Sequence, residues 1–238
     1  MNNILIISPT YNEIENIQLF IDSVFEFSNL SLLIIDDNSP DGTAEIVKSN
    51  MVNNPRLQII SRPKKLGLGT AYIEGFEWFL NSNYEYCVQM DSDFSHSFND
   101  LTRILYEIGK YDSVIGSRYI VGGATEGWGL YRRLLSKYAN KVSKIVLKSN
   151  INDLTGGFKL LHKEVVSKIM ETKPKSNGYT FQIEINQIIE KNLFTIKEVP
   201  IVFKERVSGK SKMNYRIIIE AIYFLSRQFF KKSNYNNS

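Results

Sequence analysis

The first half of this chain alternates short apolar runs with longer segments of helical periodicity, and this alternation constrains its fold most. Continuous apolar runs, read as strands, lie at residues 3–8, 31–36, 57–61, 86–90 and 113–116. Helical spacing is found between them, at residues 13–27, 41–50, 69–82 and 98–109. Continuous apolar character predicts strands that are covered on both faces. The alternation therefore predicts an α/β fold, a doubly wound and mostly parallel sheet with flanking helices.

Local signals mark the ends of some of these helices. Asp41 and Ser97 are predicted to be N-caps because their short side chains accept hydrogen bonds from exposed backbone N–H groups. Gly109 is the predicted helix stop, since glycine tolerates the left-handed conformation that ends many helices.

The second half of the chain is less regular. Residues 116–130 are rich in glycine and are predicted to form a loop. Helices are predicted at residues 131–147, which are basic, and at 180–191, with strands at 158–162 and near 195–203.

Residues 214–230 are strongly apolar, but their longest run without a charge, 221–226, has six residues. A membrane span needs about 20 apolar residues, so no transmembrane helix is predicted. We interpret the segment as an amphipathic or core helix. It would either lie on a membrane surface or pack on the sheet or against a membrane-anchoring subunit.

Composition limits the chemistry. One Cys and two His in 238 residues leave carboxylates as the predicted metal ligands, which favours Mg²⁺ or Mn²⁺.

The net charge is +4, yet eight Lys or Arg and two Asp or Glu lie from Phe203 onward. Such a basic tail is typical of contact with nucleic acid, a membrane surface or an anionic substrate. The first residues lack a basic region before a long apolar run, so we expect no signal peptide and a cytoplasmic protein.

Polar residues follow four of the predicted strands. These are residues 9–13 (PTYNE), Asp36 with Asp37, Asp91 with Asp93, and Arg118 in GSRY. In an open parallel sheet, ligands bind outside the carboxyl ends of the strands. The sequence therefore predicts a binding site at that edge.

Asp91 and Asp93 are two residues apart, so both side chains are predicted to point to one side. Two adjacent carboxylates repel each other unless a cation lies between them. A divalent ion that also binds a diphosphate would satisfy both. The alternative is that Asp91 caps a turn and Asp93 is solvated.

Common nucleotide motifs do not explain the chain. The stretch KLGLGTAY lacks the third glycine of a dinucleotide fingerprint, and there is no P-loop motif. Gly67 and Gly69 either form a tight turn or contact a phosphate or sugar. His96 and His162 are interpreted as structural residues.

The order and spacing of PTYNE, IDDNSPDGT, GLGTAY, MDSDFSH, GSRY, DLTGGFK and RVSGKSK resemble family 2 glycosyltransferases. More narrowly, they resemble the dolichol-phosphate mannose synthase branch of polyprenyl-phosphate glycosyltransferases. This resemblance implies a single GT-A domain, residues 1–212, followed by a C-terminal apolar and basic helix and tail, residues 213–238. It implies metal-assisted transfer of mannose from GDP-mannose to a polyprenyl or dolichyl phosphate, with inversion and with Mg²⁺ or Mn²⁺.

The resemblance also implies roles for the donor site. The nucleotide sugar would be held by Pro9, Tyr11, Glu13, Asp36, Asp37, Arg206 and Lys212. The metal would be held by Asp91, Asp93 and Ser95. The family often has Gln at the third metal position, and the shorter Ser95 would leave room for a water ligand.

Arg118, Arg132 and Ser136 match the family's contacts to the acceptor phosphate and the sugar phosphate. Arg132 and Ser136 are four residues apart, so they share one face of a helix. The acceptor phosphate is already anionic, so direct displacement needs no general base. Arg206 and Lys212 would clamp the donor diphosphate.

Other functions remain open at this point. The donor could be UDP-glucose or another nucleotide sugar. A polysaccharide or protein hydroxyl acceptor would need a general base, for which the sequence offers no convincing residue. A silent nucleotide-sugar sensor would not need to retain all these charged residues, and no nucleic-acid partner is expected. A lipid acceptor implies peripheral contact with the cytoplasmic face of a membrane.

Overall fold

Strands and helices alternate along the chain in the computed structural model, which describes residues 4–205. The strands are β1 (Ile4–Thr10), β2 (Leu30–Asp36), β3 (Leu57–Ser61), β4 (Tyr86–Gln89), β5 (Ser113–Ser117), β6 (Ala124–Glu126), β7 (Lys159–His162), β8 (Ile196–Pro200) and β9 (Val202–Lys204). The helices are α1 (Ile14–Phe25), α2 (Thr43–Met51), α3 (Leu68–Leu80), α4 (Phe98–Leu105), α5 (Leu130–Leu147), α6 (Lys163–Thr172) and α7 (Gly178–Lys191).

Seven strands form one mixed sheet in the order β3-β2-β1-β4-β7-β5-β8. Strand β7 runs antiparallel to both β4 and β5, and the other pairs are parallel. A second, two-stranded parallel sheet pairs β6 with β9. The prediction of a mostly parallel sheet with flanking helices is confirmed.

The sheet is covered on both faces, as its continuously apolar strands predict. Ile4 and Ile6 of β1 pack on one face with α1, while Leu5 and Ile7 pack on the other with α3, α6 and α7. This alternation follows from the two-residue period of a strand. Burial on both faces leaves the strand ends and the edge strands β3 and β8 as the more exposed parts of the sheet.

Local differences from the predictions have local causes. The carboxylate of Asp41 accepts hydrogen bonds from the N–H of Thr43 (3.0 Å) and of Ile14 (3.1 Å), but Gly42 occupies the N-cap position of α2. Ser97 is the N-cap of α4, as predicted, and accepts from the N–H of Asp100 at 3.0 Å. Helix α4 ends at Leu105, before the predicted stop at Gly109.

Two elements have no counterpart in the sequence predictions. Helix α6 begins directly after β7, and no loop residues separate the two patterns. Strand β6 lies inside the predicted glycine-rich loop, and it forms only because β9, far along the chain, pairs with it. The predicted strand near residues 195–203 divides into β8 and β9.

Arg206, Lys212, the segment 214–230 and the proposed boundary at residue 212 lie outside the described residues. Within residues 4–205, no helix is long and apolar enough to cross a membrane.

Candidate active site

A cavity of about 280 Å³ lies at the carboxyl edge of the central strands. Its wall includes Asp91, Arg118 and Arg132, three of the predicted catalytic residues. Other lining side chains come from elements distant in sequence: Trp128, Gln182, Phe203 and Glu205. A larger groove, about 910 Å³, lies near the opposite ends of the strands and is lined by none of the predicted site residues. The smaller cavity is therefore the candidate active site.

Asp91 and Asp93 follow β4 and differ in exposure. The side chain of Asp91 is 34% exposed, whereas Asp93 is buried and its Oδ1 accepts from the N–H of Ser95 at 3.0 Å. Burial, and then the negative charges of Asp91 and Asp93, raise the pKa of Tyr72 well above its usual value. Both carboxylates therefore act on the same phenol, and that their side chains point to one side stays a prediction.

Ser95 is fully buried, and its Oγ has no hydrogen-bond partner among the described residues. A buried hydroxyl without a partner is costly unless a ligand or water completes it. No group of three or more His, Cys, Asp or Glu that could hold a metal occurs in residues 4–205. A hard ion here would thus need Asp91, Asp93 and oxygens from another molecule, which is how Mg²⁺ binds beside a diphosphate.

His96 lies in the cavity wall, with its Nε2 3.9 Å from Oδ2 of Asp91. Its ring stacks on Phe158 at 4.6 Å and meets Phe203 edge-on at 5.0 Å. Burial lowers the pKa of His96 to about 4, although the charge of Asp93 opposes this shift. The imidazole is therefore neutral at pH 7.

Arg118 follows β5 and is held by a buried carboxylate that the sequence analysis did not assign. Its Nε and Nη2 each donate to Asp153 at 2.7 Å, and its backbone N–H donates to the same carboxylate at 2.9 Å. Burial alone would raise the pKa of Asp153, but the charge and hydrogen bonds of Arg118 lower it. This bidentate pair fixes the plane of the guanidinium at the cavity wall.

Asp153 is itself placed by several elements. Its backbone N–H donates to Glu198 of β8 at 3.0 Å. Arg118 Nη2 also donates to Thr155 Oγ1 at 2.8 Å, and the same oxygen accepts from Asn140 of α5 at 2.9 Å. One hydrogen-bonded network thus joins β5, β8, α5 and the DLTGGFK segment beneath the cavity.

Lys159 is fully buried at the start of β7. Its Nζ donates to Gln182 Oε1 at 2.5 Å and to the carbonyl oxygen of Gly156. Burial lowers the pKa of Lys159 to about 7, an effect that Asp153 opposes and Arg118 reinforces. Lys159 therefore supports the floor of the cavity from inside the protein.

Arg132 and Ser136 lie one turn apart on α5, as their spacing predicts. Arg132 Nη1 forms an ion pair with Glu205 Oε1 at 3.2 Å, and its guanidinium lies over Trp128 at 4.1 Å. Ser136 Oγ accepts from the Tyr119 hydroxyl at 2.7 Å. Arg132 is 24% and Glu205 52% exposed, so this pair is partly solvated, unlike the buried pair of Arg118 with Asp153.

The acidic residues at the end of β2, Asp36 and Asp37, make firm contacts within the protein. Asp36 is buried and accepts from Thr10 (2.9 Å) and Ser39 (2.6 Å), so it braces the loop that follows β2. Asp37 forms an ion pair with Arg62 Nη1 at 2.5 Å. Arg62, which the sequence analysis did not select, is itself buried.

The residues after β1 lie beside this acidic loop. Pro9, near the end of β1, pairs with Ile35 of β2, and the Lys65 ammonium lies over the ring of Tyr11, with Nζ 3.7 Å from the ring centroid. The carboxylate of Glu13 accepts from Asn16 at 3.1 Å, and its backbone N–H donates to Thr43 Oγ1 at 3.0 Å. Glu13 thus connects the start of α1 to α2.

The fold brings Asp91, Arg118 and Arg132 to one cavity, whereas Asp93 and Ser95, which follow Asp91 in the chain, are buried and do not belong to its lining. The donor-side residues stand at the neighbouring strand ends of β1 and β2. Arg206 and Lys212 lie outside the described residues. The roles of these residues remain predictions.

Four residues of the site were missed from sequence: Arg62, Asp153, Lys159 and Glu205. DLTGGFK marked the segment containing Asp153 and Lys159, but the spacing gives no sign that Asp153 meets Arg118, 35 residues earlier. Arg62 and Glu205 carry no local motif. Only the tertiary contacts identify them.

Known proteins resemble this chain along most of its length. Residues 5–170 match the family model described as glycosyl transferase family 2. The chain is 40% identical over 222 residues to a polyprenol monophosphomannose synthase of Mycolicibacterium smegmatis, covering 92% of this chain and 84% of that protein. It is 36% identical over 225 residues to an undecaprenyl-phosphate mannosyltransferase of Micrococcus luteus, covering 94% and 93%.

Solved structures share the fold at low sequence identity. One is the mannosyltransferase PcManGT from Pyrobaculum calidifontis, in complex with GDP-Man and Mn²⁺, with a TM-score of 0.60 and 17% identity. Another is S. aureus TarS 1–349, with a TM-score of 0.59 and 15% identity. The matches cover 97% and 96% of this chain, but the chain spans only 64% and 65% of those two solved chains.

The structural matches confirm the expected GT-A-like fold, in which a mixed sheet lies between helices. The family match includes β4 and β5 and the residues that follow them, Asp91, Asp93 and Arg118. Together with 40% identity over 92% of the chain, it establishes that this protein belongs to glycosyltransferase family 2.

Proposed function

We propose that this enzyme transfers mannose from GDP-mannose to a polyprenyl phosphate, with inversion at the anomeric carbon. The names of the two relatives that are 36–40% identical to the chain support both the sugar and the class of acceptor. The PcManGT structure, solved with GDP-Man and Mn²⁺, has the same fold and is consistent with this donor.

One observation carries the proposal: the same cavity has an acidic side and a guanidinium side. Asp91 lies in its wall and the buried Asp93 follows two residues later, while Arg118 reaches the wall from the end of β5 and Arg132 from α5. The reaction joins two phosphate-bearing molecules that repel each other. Arginines suit a phosphate because their planar N–H groups bind its oxygens in pairs.

The residues present fit a divalent metal. Asp91 and Asp93 supply hard oxygen ligands, and the buried Ser95 Oγ lacks a partner within residues 4–205. Asp91 and Asp93 would hold Mg²⁺ or Mn²⁺ together with the donor diphosphate. When bound, the ion would neutralise the charge that develops on the leaving diphosphate.

The acceptor supplies its own nucleophile. A phosphate oxygen, anionic at neutral pH, forms a bond to the anomeric carbon while the bond from that carbon to the GDP oxygen breaks. The bonding electron pair leaves with GDP, and the configuration inverts. No proton has to be removed, so the neutral His96 in the wall is not required as a base.

The two arginines would act differently. Arg118 is fixed by Asp153 and would orient one phosphate with little reorganisation. Arg132 pairs with the half-exposed Glu205, and we infer that the acceptor phosphate takes the place of this carboxylate. Ser136, hydrogen-bonded to Tyr119, would add a hydroxyl contact.

The nucleoside end of the donor would lie over the ends of β1 and β2. Tyr11 would contribute an aromatic ring that packs beside Lys65, and Asp37 a carboxylate held by Arg62. Pro9, Glu13 and Asp36 would shape this end by holding the two loops in place. Arg206 and Lys212 are proposed to close over the diphosphate. Because the proposed acceptor is a lipid, the enzyme would act at the cytoplasmic face of a membrane. It would bind there as a peripheral protein or through an anchoring subunit.

Release of nucleoside diphosphate tests the proposal. The protein is incubated with Mg²⁺ or Mn²⁺ and either GDP-mannose or UDP-glucose, with and without a short-chain polyprenyl phosphate in detergent. We expect GDP release from GDP-mannose that depends on the lipid phosphate. If the lipid phosphate stimulated release of UDP from UDP-glucose but no release of GDP from GDP-mannose, the donor assignment would be wrong. If neither donor released its nucleoside diphosphate, the acceptor assignment would be wrong.

Variants connect that activity to the cavity. Arg132→Ala is expected to lower transfer about 100-fold or more, because a charge-assisted phosphate contact is lost. Arg133→Ala, its exposed neighbour on α5, is the matched control and should retain activity with a detergent-dispersed acceptor. If the two variants had equal transfer activity, Arg132 would not bind the acceptor phosphate as proposed.

A further inference from the structure

A buried amide group on α7, that of Gln182, lies in the wall of the candidate active site. Gln182 is 1% exposed and lines the cavity of about 280 Å³. Its Oε1 accepts from Lys159 Nζ at 2.5 Å, whereas its Nε2 has no hydrogen-bond partner within residues 4–205. A buried NH₂ group without an acceptor is unfavourable, so we expect this donor to bind a group that enters the cavity.

Lys159 determines which end of the amide is available to a ligand. Its Nζ is a donor and is bonded to Oε1, so the oxygen of Gln182 faces the interior of the protein. Lys159 is fully buried and is not among the residues that line the cavity. The orientation of the amide is therefore fixed, and the end left for a ligand is a donor that selects an acceptor oxygen.

The space beside this NH₂ group is open because the neighbouring wall residue is a glycine. A Cβ at Gly157, which also lines the cavity, would lie 3.5 Å from Nε2 and 4.0 Å from Cδ of Gln182. Apart from its chain neighbours, that Cβ would meet no other atom of the described residues within 4 Å. The backbone of Gly157 thus borders an unfilled space, and Nε2 of Gln182 lies at its side.

The position of the amide relative to Arg118 indicates what it binds. Thr155 Oγ1 accepts from Arg118 Nη2 at 2.8 Å, and Gly157 lies two residues further along the same wall. Two residues span at most about 7 Å, so a phosphate at Arg118 would have its sugar ring within reach of Gln182. Charged guanidinium groups suit the phosphates, whereas a neutral donor of fixed orientation suits a hydroxyl group.

We propose that Gln182 donates a hydrogen bond from Nε2 to one hydroxyl oxygen of the transferred sugar and so helps to select that sugar. This inference rests on the proposed function, in which the sugar leaves a nucleoside diphosphate for a phosphate acceptor. A buried group that binds one hydroxyl discriminates against sugars without it, because the group then stays unpaired. Lys159 acts as a positioning residue, since it holds the amide oxygen.

Equilibrium binding to the full-length protein tests this contact without acceptor or turnover. Affinities for GDP-mannose and for GDP, each with Mn²⁺, are measured by isothermal titration calorimetry. Gln182→Met keeps the length of the side chain but removes the NH₂ group. It should weaken GDP-mannose binding about tenfold and GDP binding less than about twofold. The matched control is Gln187→Met, the same change at a partly exposed position of α7 outside the cavity lining, and it should bind both ligands as wild type does.

A second variant separates the loss of the contact from an effect on folding. Gly157→Ala keeps Gln182 and its bond to Lys159, and the new methyl group would meet Nε2 and Cδ at ordinary contact distances. The methyl group would occupy the space in which the hydroxyl is proposed to lie. We expect GDP-mannose affinity to fall at least about fivefold, while GDP affinity and the melting temperature stay near their wild-type values.

Analogues of GDP-mannose that each lack one hydroxyl identify the partner of Gln182. For the wild type, one of these deoxy analogues should bind about tenfold more weakly than GDP-mannose. Gln182→Met should bind that analogue and GDP-mannose equally, because the contact is already absent. A purely structural role would lower every affinity by a common factor and keep the wild-type ranking of the analogues.

Three results would overturn the proposal. An equal loss of GDP-mannose and GDP affinity in Gln182→Met would assign the NH₂ group to the diphosphate. Unchanged affinity for both ligands would assign it to an ordered water. The same ranking of deoxy analogues in wild type and Gln182→Met would make its role structural.

A failure of the proposed function has a different signature. The same comparison is made with UDP-glucose and UDP. If the wild type binds UDP-glucose but not GDP-mannose, and Gln182→Met loses the preference for UDP-glucose over UDP, the sugar contact stands and the proposed donor is wrong. If GDP release from GDP-mannose depends on polyprenyl phosphate but GDP-mannose affinity is unchanged in Gln182→Met, the proposed function stands and the sugar contact is wrong.

Discussion

Asp153→Asn removes the carboxylate that faces the buried guanidinium of Arg118. In the native protein, Asp153 is fully buried and accepts three hydrogen bonds from Arg118, at 2.9, 2.7 and 2.7 Å. Asn has almost the same shape, yet it carries no charge and replaces one acceptor oxygen with an NH₂ group. The NH₂ group would face an N–H group of the Arg118 guanidinium, so two hydrogen-bond donors would meet without an acceptor.

The structure gives the size of the effect. Removing one partner of a buried ion pair costs about 3–5 kcal/mol of folding free energy. Because Asn keeps one acceptor oxygen, we expect about 3 kcal/mol, the lower end of this range. A domain of this size loses about 2–4 °C in melting temperature per kcal/mol, so the expected decrease is roughly 6–12 °C.

Thermal denaturation of the two purified proteins at pH 7 measures this decrease. The control is Glu171→Gln, the same chemical change in an exposed pair with Lys168, where the carboxylate is 61% exposed. That pair should contribute less than about 1 kcal/mol. If Asp153→Asn and Glu171→Gln melt within about 2 °C of each other, the buried pair does not stabilise the fold as argued.

The pH dependence of the same comparison provides a further check. The pKa of Asp153 is lower in the folded protein than its usual value, so its contribution is present above the unfolded pKa of about 3.9. The contribution is lost as pH falls through the folded pKa. The difference in melting temperature between wild type and Asp153→Asn should therefore narrow below about pH 4. A difference that stays constant down to about pH 3 would contradict the charge-based explanation.

Three further predictions follow from the geometry. Glu205→Gln should lower the KM for the acceptor about two- to fivefold without changing kcat, since it releases Arg132 from an exposed ion pair; an unchanged KM in initial-rate measurements would contradict this. For Lys159, burial lowers the pKa to about 7, so the unfolded chain binds more protons between pH 7 and about pH 10. Wild-type stability should consequently rise with pH across that interval more steeply than that of Lys159→Met, and equal slopes of melting temperature against pH would refute the assignment. Gly75→Ala should destabilise the protein by about 1–3 kcal/mol in denaturant titrations, because a Cβ there would lie 2.6 Å from Cγ2 of Ile7. Gly129→Ala, which meets nothing within 4 Å, is its control, and equal stability of the two variants would contradict the packing argument.

The main strands and most helices were predictable because their signals are local. Strand β3 was predicted at its observed bounds, residues 57–61, and the N-cap Ser97 acts on its own helix. The antiparallel insertion of β7 between β4 and β5 was not predictable, since its residues contain no information on which neighbours they will pair with. Strand β6 was even less predictable from local sequence, because its three residues form a strand only by pairing with β9.

The site divides in the same way. Asp91, Asp93 and Arg118 were found because each follows a strand, and the topology of a parallel sheet brings such ends to one edge. Arg132 and Ser136 were related by helical spacing alone. By contrast, Asp153 and Glu205 meet their arginines across 35 and 73 residues, contacts that arise from the packing of separate elements.

The sequence by itself determined the α/β class, the carboxyl edge as the place of chemistry and the acidic pair that stands there. These properties depend on hydrophobic periodicity and on which residues follow each strand, and both can be read from the order of residues in the chain. Only the tertiary structure decided which charges are neutralised, which arginine pairs with a buried carboxylate and which with an exposed one, and which side of α5 faces outward. Burial and pairing set these properties, because the free energy of a charge depends on the groups and the solvent around it in space.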